Sequence, residues 1–451
     1  MGREHKETYE EYKKRVMDPI SPSFCAAKWK NATIFLNQGK TMSCHHPNAH
    51  SISKFDILWD PSAIHNTRHK KDQRRMMLQG VRPPECEYCW TVEDIDNEIV
   101  SDRTYKTVIY SDEEIEQITK TSWKKSVNPS TLELSFSNAC NFSCSYCNSD
   151  FSTSWGQDLK KNGSYKKLIT RDSAAFEIPY RSRQIKDEEK NPYIKAFWRW
   201  FPSLSKDLTE LRITGGEPLL HKDVWELFDR LGEEKNRHIR FAVNSNLGVS
   251  DKLVDRLIEK SKKIDRVDVY TSNESIGAQS NYIRDGIEFE KWRENCLKII
   301  KSGSVYRLHI MMTMNALCLD GLTDLFDEII SWKRMTDAPM VTWTLNILRF
   351  PAFMSVLTLP EHIRKERADH LQQWLNKNFH DPVIQEHEIK YITRLIQYLG
   401  SAEKPHGLAE ENEKQVKDFK QFFHQYDQRR GKDFSKTFQG PLADWYESLP
   451  L

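Results

Sequence analysis

Seven cysteines carry most of the chemistry open to this 451-residue chain. Of nine in all, Cys140, Cys144 and Cys147 fall within eight residues, while Cys25, Cys44, Cys86 and Cys89 form a second, dispersed set. Three thiolates so close in sequence converge only if their loop wraps around a common centre. They can hold three irons of a cubane 4Fe–4S cluster, because thiolate suits iron–sulfur chemistry. The fourth iron then lacks a protein ligand, and an open coordination position marks catalysis rather than storage. A zinc loop completed by a distant fourth ligand satisfies the same spacing. In the second set, four cysteines ligate one centre fully, as zinc or as 4Fe–4S. Cys25 and Cys44 flank a hairpin pattern, Ala32–Leu36, a turn at Asn37–Lys40, and Thr41–Ser43. Cys86 and Cys89 form a C-x2-C knuckle, and His45 and His46 beside Cys44 are alternative ligands or ordinary loop residues. Cys296 and Cys318 receive no role, since isolated buried thiols are common.

The elements that must position these groups follow from hydrophobic patterning. Strand-like segments are 131–137, 210–214, 239–243, 266–270, 307–312 and 341–347, with amphipathic stretches such as 224–231, 253–257 and 292–300 between them. Strand–helix alternation implies parallel strands joined by crossover helices. Six such units predict an α/β fold, an open or partial (β/α)6 barrel, whose chemistry belongs at the C-terminal ends of the strands. The cysteine triad follows the first strand. Thr214-Gly215-Gly216-Glu217-Pro218 follows the second, where glycines let backbone approach a ligand and Glu217 suits a cationic amine. The third ends in Asn244-Ser245-Asn246 and the fourth in Thr271-Ser272-Asn273-Glu274, polar groups suited to hydroxyls or to strand-end capping.

Bulk composition bounds the rest. A net charge of +2, from 67 basic and 65 acidic residues, predicts no field for nucleic acid or an anionic membrane. The charged N-terminus lacks an apolar signal segment, Lys6 breaks the myristoylation pattern, and no apolar run is long enough to cross a bilayer. The expectation is a soluble cytoplasmic protein in which clustered thiols mean metal rather than disulfides. Four regions emerge: a charged leader (1–20), a cysteine-rich segment with a linker (21–127), the alternating region (128–357) and a polar helical region (358–451) with a Gly440-Pro441 break. A long polar insert, 151–190, is a lid or recognition element, or a disordered excursion. Tyr426–Arg430, Trp445 and Tyr446 are expected to pack over the barrel.

At these residues the chain resembles the radical S-adenosylmethionine (SAM) superfamily. That family's signature is C-x3-C-x2-C after the first barrel strand with an aromatic before the last cysteine, here Tyr146. Gly215-Gly216-Glu217 resembles its GGE motif, which binds the SAM amino group. Ser245, Asn246 and Ser272 resemble ribose-contacting positions, and Arg284 would pair with the SAM carboxylate or with a surface acid. The resemblance implies reductive cleavage of SAM to a 5′-deoxyadenosyl radical that abstracts hydrogen from a substrate. The cysteine hairpin resembles the opening of SPASM/twitch auxiliary modules, here N-terminal to the barrel instead of after it. With Ser101-x-Arg103 nearby, Cys86-x2-Cys89 looks like a twitch-containing group, which implies a second, auxiliary 4Fe–4S cluster, with zinc as the alternative. Relatives of this kind modify peptides or proteins, and a peptide substrate is favoured. The alternatives are a small molecule (carbohydrate or nucleotide), or a non-catalytic iron–sulfur or zinc protein. A flavodoxin or ferredoxin type donor is the implied electron source.

Overall fold

In the computed structural model each of the six strand-like segments forms a strand, within two residues of its expected bounds. The structure describes residues 7–96, 99–177, 179, 184–185, 190–336, 340–401 and 409–451, with backbone alone at 409–411. The remainder of the 151–190 insert, and the first residues of the leader, lie outside the described residues. The chain divides into two compact units. The first comprises Met1–Ser137, Gln184–Thr214 and Glu233–Phe241, and the second Asn138–Arg183, Gly215–Gly232 and Ala242–Leu451.

In the first unit the expected hairpin is present. Strand β1 (Asn31–Phe35) pairs antiparallel with β2 (Lys40–Met42), which pairs with the short β3 (His50–Ser51). β1 also pairs in parallel with β4 (Thr131–Ser135), and β4 in parallel with β5 (Glu210–Thr214). The order is therefore β3-β2-β1-β4-β5, followed by β6 (Arg240–Asn244), which runs on into the second unit. The cysteine hairpin thus shares a sheet with the first two strands of the alternating region. Ala32, Thr33 and Ile34 are buried in succession, as a strand with neighbours on both sides and both faces covered requires. Cys86 ends a short turn begun by Pro84, and Cys89 lies in the helix Glu87–Glu93. Cys25, Cys86 and Cys89 are buried in a core with Phe24, Trp29 and Trp90.

In the second unit β6 is followed by β7 (Val267–Ser272), β8 (Arg307–Met314) and β9 (Val341–Ile347), the last three parallel. The crossovers that parallel pairing demands are the helices Phe289–Ser302 and Leu322–Lys333. β9 leaves an edge that the C-terminal region covers: Glu388, on helix Glu386–Gly400, accepts from Trp343 N (3.0 Å) and Thr342 Oγ1 (2.8 Å) and pairs with buried Lys333 at 2.5 Å. Gly440-Pro441 opens a helix, Pro441–Ser448, because proline suits the first helical turn, where its missing N–H costs nothing. No helix among the described residues is long and apolar enough to cross a membrane.

Candidate functional site

The segment from Cys140 to Cys147 has no regular hydrogen bonding of its own, so its backbone groups must be met from outside. The start of the insert meets them. Ser154 Oγ donates to Cys140 O (2.7 Å), Ser152 Oγ to Phe142 O (2.7 Å) and Trp155 Nε1 to Cys144 O (2.9 Å). Cys140 N in turn donates to Thr153 Oγ1 (3.1 Å). Ser152 also caps the helix Thr153–Asn162, a role serine suits, so the first part of the insert is an ordered clamp on the cysteine loop. From the other side Ser143 N donates to Asp285 O and Ser145 N to Ile283 O, both at 2.7 Å.

The three thiols are placed to sense one another. Burial pushes the Cys140 thiol up to about 12, with Cys144 adding to it, and Cys147 is pushed up by burial and then by Cys144 and Cys140. A metal that takes these sulfurs must therefore displace their protons. Two thiolates on one zinc, each about 2.3 Å from it, are at most about 4.6 Å apart. Among the described residues no three cysteine sulfurs lie within 4.8 Å of one another.

The glycine turn after β5 presses on this loop. Glu217 N donates to Ala139 O at 2.7 Å. A Cβ on Gly216 would stand 2.3 Å from that same oxygen, so only glycine permits the approach. Gly286, with φ +103°, is similarly held against Asn141 O. The Glu217 carboxylate is buried; Oε1 accepts from Leu219 N (3.0 Å) and Ser245 Oγ (2.9 Å), and Oε2 from Asn246 N (2.6 Å). Asn246 Nδ2 lies 4.0 Å from Cys140 Sγ. A carboxylate offers about four acceptor positions, so Oε2 keeps room for one further donor. Burial raises the Glu217 pKa to about 7, against the pull of those three donors.

Arg284 has a partner of a kind the sequence did not suggest. It is buried, and its Nε and Nη2 hold Glu274 Oε2 at 3.0 and 2.8 Å. The acid is therefore an interior one, not a surface one, and the guanidinium is already committed to it. Arg284 Nη1 lies 3.7 Å from Cys144 Sγ, and the guanidinium sits over the Tyr146 ring at 5.4 Å. Burial raises the Glu274 pKa, against the pull of Arg284 and of a side-chain hydrogen bond with Tyr146. Ser272 ends β7, two residues before Glu274. Cys296 and Cys318 are buried.

Residues 134–332 match the profile described as the Radical SAM superfamily. This stretch, under half of the chain, resembles a radical SAM domain, a match that supports an enzyme and implies a 4Fe–4S cluster and SAM. No curated protein matches the chain. Among solved structures, native anSMEcpe with bound AdoMet and the Cp18Cys peptide is 13% identical over 56% of this chain and 62% of that one, with a TM-score of 0.35. The chain thus spans less than two thirds of that protein. Streptococcus suis SuiB is 12% identical over 80% of this chain and 69% of that one (TM-score 0.37). SuiB bound to precursor peptide SuiA is 11% identical over 76% and 68% (TM-score 0.37).

Outside the radical SAM domain, Cys25, Cys44, Cys86 and Cys89 all line one cavity, together with His46 and Asp102. Burial pushes Cys25 up to about 12 and Cys86 up to about 11, and Cys25 also feels the other three sulfurs. His46 is held by Asp102 (2.7 Å) and stacks on Tyr88 at 3.8 Å. The Ser101-x-Arg103 pair clamps Glu93, on the helix of Cys89: Ser101 Oγ at 2.6 Å, Arg103 Nε and Nη2 at 2.7 Å. Ser152–Trp155 carried only a helix-start signal in the sequence, the Ser-Thr-Ser run at 152–154, and Glu274 stood there only as a strand-end polar group, with no sign of its pairing with Arg284.

Proposed function

We propose that residues 128–357 form a radical SAM partial (β/α)6 barrel in which Cys140, Cys144 and Cys147 ligate three irons of a 4Fe–4S cluster. In this reading Gly215, Gly216, Glu217, Tyr146, Ser245, Asn246 and Ser272 surround SAM, and Arg284 steadies the cluster edge at Cys144. Residues 21–127 are a twitch-like module whose Cys25, Cys44, Cys86 and Cys89 ligate an auxiliary 4Fe–4S cluster, and 358–451 is a helical support. The observation that carries the reading is the meeting of three sequence-remote motifs: the cysteine loop, the Gly-Gly-Glu turn and Ser245-Asn246, joined through Glu217.

When bound, a reduced 4Fe–4S cluster supplies the electron that splits SAM to methionine and a 5′-deoxyadenosyl radical, which takes hydrogen from the substrate. The chain's own residues orient and shield. Glu217 offers its free acceptor position to an ammonium group, and its burial keeps water from competing for it. Ser245 and Asn246 are fixed by Glu217. The substrate is a peptide or protein, a reading supported by the auxiliary module and by the insert beside the cysteine loop, and the electron donor is of flavodoxin or ferredoxin type.

The test is spectroscopic. In the reduced, reconstituted full chain, SAM should shift the electron paramagnetic resonance (EPR) signal of one cluster, the one with an open iron. A signal unmoved by saturating SAM would sink the assignment.

A further inference from the structure

Around the four N-terminal cysteines five cations, Lys28, Lys70, Arg74, Arg103 and Lys106, stand against three carboxylates, Glu85, Glu93 and Asp102. Lys28, Lys70, Arg74 and Arg103 are all buried. Arg103 is matched by Glu93 and Lys28 by Glu85. Lys70 and Arg74 have no carboxylate partner among the described residues. Lys70 Nζ donates to Thr41 Oγ1 (3.0 Å) and to Met42 O (3.1 Å), two residues before Cys44, and lies 3.3 Å from His65 Nδ1. Arg74 donates to Lys28 O and Asn66 Oδ1, both at 2.9 Å. Neutral acceptors satisfy the hydrogens of these cations but not their charge, and an unbalanced buried charge is costly. Lys28, Arg103 and Lys106 line the cysteine cavity itself.

We infer that Lys28, Lys70 and Lys106 are the counter-charge of an anionic cluster on Cys25, Cys44, Cys86 and Cys89 and hold its reduction potential up. This rests on the auxiliary-cluster reading above. A 4Fe–4S core of charge 2+ with four thiolates carries a net −2. One electron from a low-potential reductant takes it to −3, with no bond made or broken. Fixed cations stabilise the more negative state, so they make the cluster easier to reduce. The residues act on the potential through space, as positioning charges rather than ligands.

The test uses the full chain with Cys140, Cys144 and Cys147 all changed to Ala, so that only the auxiliary signal remains, in a redox titration with dithionite followed by EPR. Lys70→Met should make reduction at least tenfold harder, a midpoint lower by about 59 mV for one electron. Lys106→Met, at a half-buried position that tolerates change, should shift it in the same direction, and Glu85→Gln should shift it upward. Opposite signs from the lysine and glutamate variants support the inference, and the Lys106 and Glu85 variants carry it alone should Lys70→Met fail to fold. A cluster signal whose midpoint ignores these changes, or moves one way in all of them, overturns this inference alone. A chain with no auxiliary signal overturns it together with the auxiliary-cluster reading.

Discussion

Glu217 is a carboxylate withdrawn from water, and its titration is the most direct residue-scale consequence of the site. Its folded-state pKa, about 7, stands above its ordinary value of 4.5 because burial opposes the charge. The folded chain therefore binds this proton more tightly than the unfolded chain. The stabilisation is fully present below pH 4.5 and is lost as pH rises through 7. For SAM the sign reverses, because an ammonium needs the ionised acid. Below pH 7 the dissociation constant for SAM should rise by up to about tenfold per pH unit, and Glu217→Gln should flatten that slope. Calorimetric titration from pH 6 to 8 checks it; an equal slope in both proteins refutes the role. Gly216→Ala is the steric counterpart. Its Cβ would strike Ala139 O, a backbone atom that cannot swing aside. We expect a loss of about 3 kcal/mol or more by denaturant titration and failure to retain the triad's iron. At this scale the cysteines and the Gly-Gly-Glu turn were legible, because their chemistry is encoded in residue type and local spacing. The commitment of Arg284 to Glu274 was not. Both residues are polar and separated by ten positions, and only the fold decides that both turn inward.

Among the elements, the helix Ala409–Arg430 binds the insert and the cysteine loop together within the second unit. Asp418 is buried and accepts from Ile169 N (2.7 Å), Thr170 N (2.9 Å) and Thr170 Oγ1 (2.6 Å). Tyr426 Oη donates to Tyr282 O at 3.1 Å, and Asp427 accepts from Tyr282 Oη at 2.6 Å. Arg430 reaches Tyr165 Oη (2.9 Å) and Asp285 (3.2 Å), the residue whose carbonyl holds Ser143 N. The packing role expected for Tyr426–Arg430 is thus met in detail, and it runs through to the loop that carries the cysteines. Asp418→Ala would strand the buried Thr170 backbone and hydroxyl donors and release the part-buried Ile169 N, at an expected cost of about 2–5 kcal/mol in thermal or chemical unfolding. A variant as stable as the parent would mean the strap is idle. The strands were readable because apolar alternation reports directly on which face is buried. The strap was not, since a helix pattern shows that a face is buried but not what lies against it, and these partners are 144 to 265 residues apart.

For the whole molecule the account requires two metal–sulfur sites with different duties, one with an open iron and one fully ligated. Fully loaded protein should hold about eight irons per chain, and the Cys140/Cys144/Cys147 triple variant about four. Zinc in place of half the iron would argue against the auxiliary cluster. That the cysteine hairpin joins the sheet of β4 and β5 lay beyond sequence reading, because parallel pairing between strands about 100 residues apart leaves no local trace. The central claim is that Cys140, Cys144 and Cys147 support SAM cleavage, and the product measures it. Anaerobically reconstituted protein, reduced with dithionite and given SAM, should release 5′-deoxyadenosine detectable by chromatography, while the triple variant, retaining its auxiliary iron, releases none. Iron-loaded native protein that yields no 5′-deoxyadenosine, or a triple variant that yields as much as the native chain, would contradict it.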